Sequence, residues 1–155
     1  MQDKQAIVLA LTSMESGSYG SIKNMPNWRY NMLKKLSVEF SKKYVNTIFT
    51  KLPTYRNHHP ILYNGILCTN QQNKGLVLDA FLHYCKYKPS KIISFDDDIN
   101  ALESIGKTCK KYAIPFILFH YQSNKLRGTW NSQKALKQFE YLINENRWIH
   151  DIDID

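Results

Sequence analysis

No stretch of this 155-residue chain approaches the roughly 20 consecutive apolar residues that a membrane-spanning helix needs. The opening, "MQDKQAIVLALTSMESG", holds one short apolar run with acid on both sides. That makes a poor signal peptide and a good buried strand, so the cytoplasm is the default compartment. The three cysteines, Cys68, Cys85 and Cys109, form no CxxC pair and have no histidine at zinc-ligand spacing. A zinc module and a disulfide framework are thereby excluded, and an odd set of thiols suits a reducing compartment. No arginine-rich or Gly–aromatic nucleic-acid motif is present, and no internal repeat or low-complexity segment. The net charge of +8 suits phosphorylated substrates, nucleic acid or an acidic membrane surface. The lysines are scattered, however: Lys34, Lys35, Lys42, Lys43, Lys107, Lys110, Lys134 and Lys137 fall mostly on the polar sides of expected helices, as solvated faces do. With 43% hydrophobic and 22% charged residues, what remains is the balance of one globular domain over residues 1–155.

"AIVLAL", Ala6 to Leu11, is a continuous apolar run, as in a strand buried on both faces. A Gly/Ser/Asn/Pro-rich loop follows, then a short helix from Trp28 to Leu36 with Trp28, Met32 and Leu36 on one side. "NTIFTKL" has strand character. Two apolar runs flank Asn64-Gly65, the strongest short hairpin signal. From Asn73 to Lys86 a helix is expected, with Leu78, Phe81, Leu82 and Cys85 at i, i+3, i+4 and i+7, closed by Pro89. Lys91 to Phe95 is the next strand. A helix carrying Leu102, Ile105, Cys109 and Tyr112 follows, with Asn100 and Glu103 placed as a capping box. "IPFILFHY" is another buried strand. Trp130 to Ile143 is a last helix with Leu136, Phe139 and Ile143 on its apolar face. Alternating strands and helices predict a parallel α/β sheet with a small inserted hairpin, and sites in such sheets form at the carboxyl ends of strands.

Two strands end in residues suited to chemistry: Thr12-Ser13 and Asp96-Asp97, the latter in "IISFDDDIN". Between them in sequence lies Lys74, in the first turn of a helix, where a cation is mildly unfavourable against the helix dipole. An anion held between the helix end and the ammonium reverses that penalty. A hydroxyl, a lysine and a carboxylate pair can together hold a phosphoryl group and Mg²⁺: the donors grip phosphate oxygens and the hard carboxylate oxygens hold the metal. Each part also has a plain structural reading, as a strand end, a solvated lysine and helix-start acids. Asp98 fits the last of these, just ahead of a helix.

"VLALTS", "NGILCTNQQNKGLVLDAFL" and "KPSKIISFDDDINALESI" together resemble the haloacid dehalogenase (HAD) superfamily of phosphohydrolases, and in particular a little-characterised bacterial branch of it, over roughly residues 5 to 121. The resemblance implies a Rossmann-like three-layer core with a parallel sheet. It also implies roles: Thr12, with Ser13, and Lys74 as phosphate-binding residues, Lys74 as a catalytic neutraliser of charge, and Asp96 and Asp97 as ligands of Mg²⁺. The substrate class would be a phosphorylated small molecule.

The superfamily's first motif, a strand ending in DxD whose first aspartate is the nucleophile, has no counterpart here. The sequence before Gln5 is only "MQDK". The one DxD pattern lies in "HDIDID" and reads as a charged tail over residues 146–155. The expectation is a core lacking its first strand, inactive alone and either truncated or completed by a separate chain that supplies the strand. A non-catalytic phosphate-, metal- or partner-binding module on the same scaffold is the alternative. A receiver-type signalling domain also uses an acid pair, a Thr and a Lys, but its acid pair comes first in the chain.

Overall fold

A computed structural model describes residues 6–86, 88–122 and 131–145. The chain divides into two compact units, Met1–Tyr121 and Gln122–Asp155. Among the described residues the first holds six strands and three helices in the order β1 (Ala10–Thr12), α1 (Met25–Lys35), β2 (Thr47–Ile48), β3 (Ile61–Tyr63), β4 (Ile66–Cys68), α2 (Lys74–Cys85), β5 (Ile92–Asp96), α3 (Ile99–Lys111) and β6 (Phe116–His120). The second holds α4 (Ser132–Glu145). The fold is mixed α/β. The expected tail at 146–155, and Trp130 at the start of the expected last helix, lie outside the described residues.

The hairpin at Asn64-Gly65 is present, as β3 and β4. Asn64 (φ 46°) and Gly65 (φ 81°) both take the left-handed conformation that a type I′ turn demands. The hairpin is no separate insertion. β4 pairs in parallel with β1 (Ala10 opposite Ile66, Thr12 opposite Cys68) and antiparallel with β3, which pairs with β2. The four-stranded sheet, in the order β1-β4-β3-β2, is therefore mixed. β5 and β6 pair in parallel as a second, two-stranded sheet, with Ile92 opposite Phe116 and Asp96 opposite His120. A single parallel sheet is not what forms among the described residues: β1 and β5 do not pair.

α2 follows the expected periodicity. Asn73 caps it by accepting from the Leu76 N–H at 3.1 Å, and Lys86 ends it in the left-handed conformation (φ 47°). Val77, Leu78, Phe81 and Leu82 are buried against Leu62, Leu67, Ile105 and Ile114 in one core. α3 is capped by Asp98, whose carboxylate accepts from the Asn100 N–H at 2.9 Å. Asn100 is thus the second helical residue and no cap: the Asp98 carboxylate two positions earlier takes the free N–H group.

Three expectations about burial differ from the structure. None of the residues of the "AIVLAL" run is fully buried, and Ala6 is exposed. "FILFH" in β6 alternates, with Ile117 and Phe119 outward and more than two-fifths exposed. On α1, Met32 and Leu36 face solvent, and Pro26 is the buried residue. Apolar runs read as buried on both faces when their neighbours would cover them. Among the described residues β1 is paired along one edge only, and the outer face of β5–β6 carries Ile93, Phe95, Ile117 and Phe119 exposed.

Candidate functional site

Lys74 and Asp96 meet. The Lys74 Nζ lies 2.5 Å from Asp96 Oδ2, with the lysine side chain 13% and the aspartate side chain 6% exposed. The other carboxylate oxygen, Oδ1, accepts from the Asp98 N–H at 3.1 Å. A charged pair this sheltered is screened far less than a surface pair. Asp96 is the last residue of β5 and Lys74 the first of α2, so the ion pair joins a strand end to a helix start. No acid lies in α2's own first turn. The anion that offsets an N-terminal lysine comes from the neighbouring strand.

Gly75 explains how α2 comes so close to α3. A Cβ at Gly75 would lie well inside contact with the Ser104 carbonyl. Without one, the Gly75 N–H donates to Ser104 Oγ at 3.0 Å and its carbonyl accepts from Thr108 Oγ1 at 2.9 Å. Two hydroxyls of α3 thus clamp the first turn of α2 and set Lys74 beside Asp96. Sequence reading missed Ser104 and Thr108. The signal was the glycine inside a helix, which marks a close approach.

Thr12 is the last residue of β1. Its carbonyl accepts from the Thr69 N–H at 2.8 Å, the Ser13 carbonyl from the Gln71 N–H at 3.1 Å and the Met14 carbonyl from the Asn70 N–H at 3.1 Å. Thr12–Met14 is therefore laced to the segment that leads directly into Asn73 and Lys74. The Thr12 Oγ1 accepts from the Met14 N–H at 3.3 Å, and among the described residues its own proton has no acceptor. Among the described residues the Lys74 ammonium donates to Asp96 Oδ2 alone. Thr69 is fully buried beside Thr12, and its Oγ1 has no partner among the described residues. Asp97 is exposed, its carbonyl 3.2 Å from His120 Nε2. Asp98 serves the helix, as expected.

Asn70 was not singled out from sequence. It is 1% exposed and sits at φ 52°. Its amide donates to the Tyr55 carbonyl at 3.0 Å and to the His58 carbonyl, and its oxygen accepts from the Ser16 N–H at 3.0 Å. One side chain therefore holds two loops against the end of β4.

Among the described residues no three His, Cys, Asp or Glu side chains cluster as a ready metal cage. Asp96 and Asp97 offer two adjacent carboxylates at most. Mg²⁺ would need no more, since it keeps several waters and takes one or two carboxylates plus phosphate oxygens, but both Asp96 oxygens are engaged here, by Lys74 and by the Asp98 N–H. Two carboxylates do not suit a metal held entirely by protein.

Comparison with known proteins places the chain. A family model described as "Protein of unknown function (DUF2608)" matches residues 1–153. The chain belongs to the DUF2608 family. An uncharacterized protein of Rickettsia felis is 27% identical over 129 residues, 79% of this chain and 44% of that protein. One of Rickettsia prowazekii is 27% identical over 151 residues, 94% of this chain and 50% of that protein. One of Rickettsia conorii is 27% identical over 144 residues, 89% and 48% respectively. The chain spans about half the length of the curated relatives it matches. No solved structure matches it. In this DUF2608 chain the family match covers Thr12, Lys74 and Asp96 alike.

Proposed function

We propose that this chain carries the phosphate- and Mg²⁺-binding part of a HAD-type phosphohydrolase site, on a Rossmann-like three-layer core whose nucleophile strand is not part of this sequence. Thr12 and Ser13 supply hydroxyl donors to phosphate oxygens, Lys74 neutralises their charge, and Asp96 with Asp97 would hold Mg²⁺. The observation that carries the reading is the sheltered Lys74–Asp96 pair, at the edge to which backbone hydrogen bonds tie Thr12. A bound Mg²⁺ supplies Lewis-acid charge stabilisation and a template for the phosphoryl group.

The chain's own residues bind and orient. Lys74 is held in place through Asp96 and the Gly75 clamp, so its ammonium needs little reordering when an anion arrives. What the sequence does not bring is the carboxylate that would form an aspartyl-phosphate. The substrate is a phosphorylated small molecule, and turnover requires a nucleophile from outside this sequence. The purified chain with Mg²⁺ is expected to hydrolyse a generic phosphomonoester no faster than background. Robust turnover that disappears in Asp96→Asn would show that the chain holds a nucleophile of its own.

A second reading has one specific observation behind it. Lys74 and Asp96 already satisfy each other electrostatically, as they would in a non-catalytic phosphate- or metal-binding module. Phosphate binding without turnover, even with a strand-DxD peptide present, is the outcome that favours it.

A further inference from the structure

α1 turns an apolar stripe to solvent. Trp28, Met32 and Leu36 recur every fourth residue, so they line one side of the helix. The helix is anchored elsewhere. Pro26 is buried, the Tyr30 and Tyr63 rings meet edge to face with centroids 6.2 Å apart, and the Tyr63 hydroxyl donates to Asn27 Oδ1 at 3.0 Å. Trp28 is half-buried, Met32 is 38% exposed and Leu36 69%, and Val38, just beyond the helix, is 41% exposed. Single exposed apolar residues are ordinary. Three along one stripe with a fourth at its end form a patch. The turn that closes α1 is fully laced. The Ser37 N–H donates to the Lys34 carbonyl at 3.0 Å and the Val38 N–H to the Leu33 carbonyl at 2.9 Å, with Ser37 at φ 57°. This pattern satisfies carbonyls that a helix end otherwise leaves to water, so the turn can enter a poorly hydrated layer at low backbone cost.

The charge around the stripe has one sign. Residues 23–43 carry Lys23, Arg29, Lys34, Lys35, Lys42 and Lys43 against Glu39 alone, a net +5 of the chain's +8. Glu39 itself lies 3.7 Å from Lys42. Lys34 and Lys35 stand in the last turn of α1, where cations favour the helix dipole. That accounts for the lysines but not for the exposed leucine beside them. Apolar side chains flanked by cations on a convex helix suit an anionic bilayer surface. Nucleic acid would use bases stacked on open aromatic faces, whereas this stripe is chiefly aliphatic and Lys42 covers the Tyr30 ring at 5.4 Å. A protein partner would need a groove shaped to the stripe, while a bilayer accepts any convex apolar edge. We propose that α1 and its closing turn are a membrane-surface anchor. Met32, Leu36 and Val38 enter the boundary between headgroups and acyl chains, Trp28 sits at that level, and the lysines meet anionic headgroups. α1 has 11 residues, about 16 Å at 1.5 Å per residue. Among the described residues no helix is long and apolar enough to cross a membrane, so the element lies on the bilayer. Neither Lys74 nor Asp96 takes part.

The full chain is sedimented with sucrose-loaded vesicles of phosphatidylcholine mixed with phosphatidylserine, and with vesicles of phosphatidylcholine alone. Expected is binding to the mixed vesicles that high salt weakens, and little binding to the neutral ones. Lys34→Glu/Lys35→Glu should weaken binding by about tenfold or more, since each lysine near an anionic surface adds attraction. Lys107→Glu/Lys110→Glu makes the same change of charge at exposed positions of α3 and should weaken it by no more than about twofold. Equal losses in the two pairs would reveal dispersed charge and overturn the proposal. So would binding that survives Met32→Ser/Leu36→Ser, which is adsorption without insertion. Absence of binding to the mixed vesicles overturns it as well, including the case in which an oligonucleotide or an acidic protein takes the α1 lysines instead. The four altered α1 positions are exposed, and unchanged thermal melts confirm that the variants fold. Should one fail to fold, the unaltered chain decides. On nanodiscs of the mixed lipids carrying a gadolinium-chelating lipid, the amides from Met32 to Val38 should broaden before those of α3. Broadening centred on any other element overturns the proposal.

Discussion

Asn70 is the residue whose removal the fold should feel most for its size. Its amide, itself buried, occupies two carbonyls and one N–H on two different loops, in hydrogen bonds that are part-buried. Asn70→Ala leaves those groups unpaired, and at about 1 kcal/mol or more for each the chain should lose about 3 kcal/mol in a urea melt. An unchanged midpoint would mean that water replaces the amide freely. The cysteines offer a second test at this scale. Burial pushes the Cys68 thiol up to about 12 from an ordinary 9.0, against a smaller opposing effect of the Arg29 charge. Burial also raises Cys109, against a smaller backbone hydrogen bond that lowers it. Both are buried while Cys85 is partly open. At pH 8 a thiol reagent should therefore label Cys85 alone until denaturant is added. Between pH 9 and 12 the unfolded chain gives up the Cys68 proton that the native chain keeps, so this thiol's share of stability falls as pH rises through that window. Fast native labelling of Cys68 would contradict its enclosure.

Among the elements, the contact of α2 with α3 sets the geometry of the site. Gly75→Ala places a methyl against the Ser104 carbonyl. The helices must part, at a cost of about 2–3 kcal/mol by overpacking, and the Lys74–Asp96 pair should loosen with them. A crystal structure or NMR of the variant that still holds Lys74 on Asp96 would show that the clamp is dispensable. Much of this level was readable from sequence. The periodicity of α2, the Asn64-Gly65 turn and the strand ending in Asp96 all depend on local chemistry, and all are found. The burial of β1 and β6 was not readable, because whether an apolar run is covered on both faces depends on neighbours distant in sequence or outside it. The helix start at Asp98 was misplaced by two residues, since three adjacent acids and an Asn all favour that turn. Asn70 left no pattern at all: its role comes from loops 12 to 54 residues away in the chain.

At the scale of the molecule, two sheets stand where one was expected, and the site lies where they approach. The mixed β1-β4-β3-β2 sheet brings Thr12, and the β5–β6 sheet brings Asp96. α2 leaves the first sheet at Lys74 and leads to the second, so the ion pair bridges them. The outer face of β5–β6 carries the stacked Phe95–Phe119 pair, centroids 4.7 Å apart, beside exposed Ile93 and Ile117. Apolar surface of that kind marks an interaction site or an aggregation liability. The positive net charge of +8 suits a phosphorylated ligand at this edge but is too dispersed to locate it. The most direct measurement of the central proposal is a titration of the chain with inorganic phosphate, with and without Mg²⁺, read by the backbone amide shifts of Ser13, Gly75 and Asp97. The account predicts saturable shifts at all three, tightened by Mg²⁺, with Lys74→Ala abolishing the phosphate response and Asp96→Asn the Mg²⁺ effect. Flat shifts at these amides in the folded chain, or shifts that survive both substitutions, would contradict it.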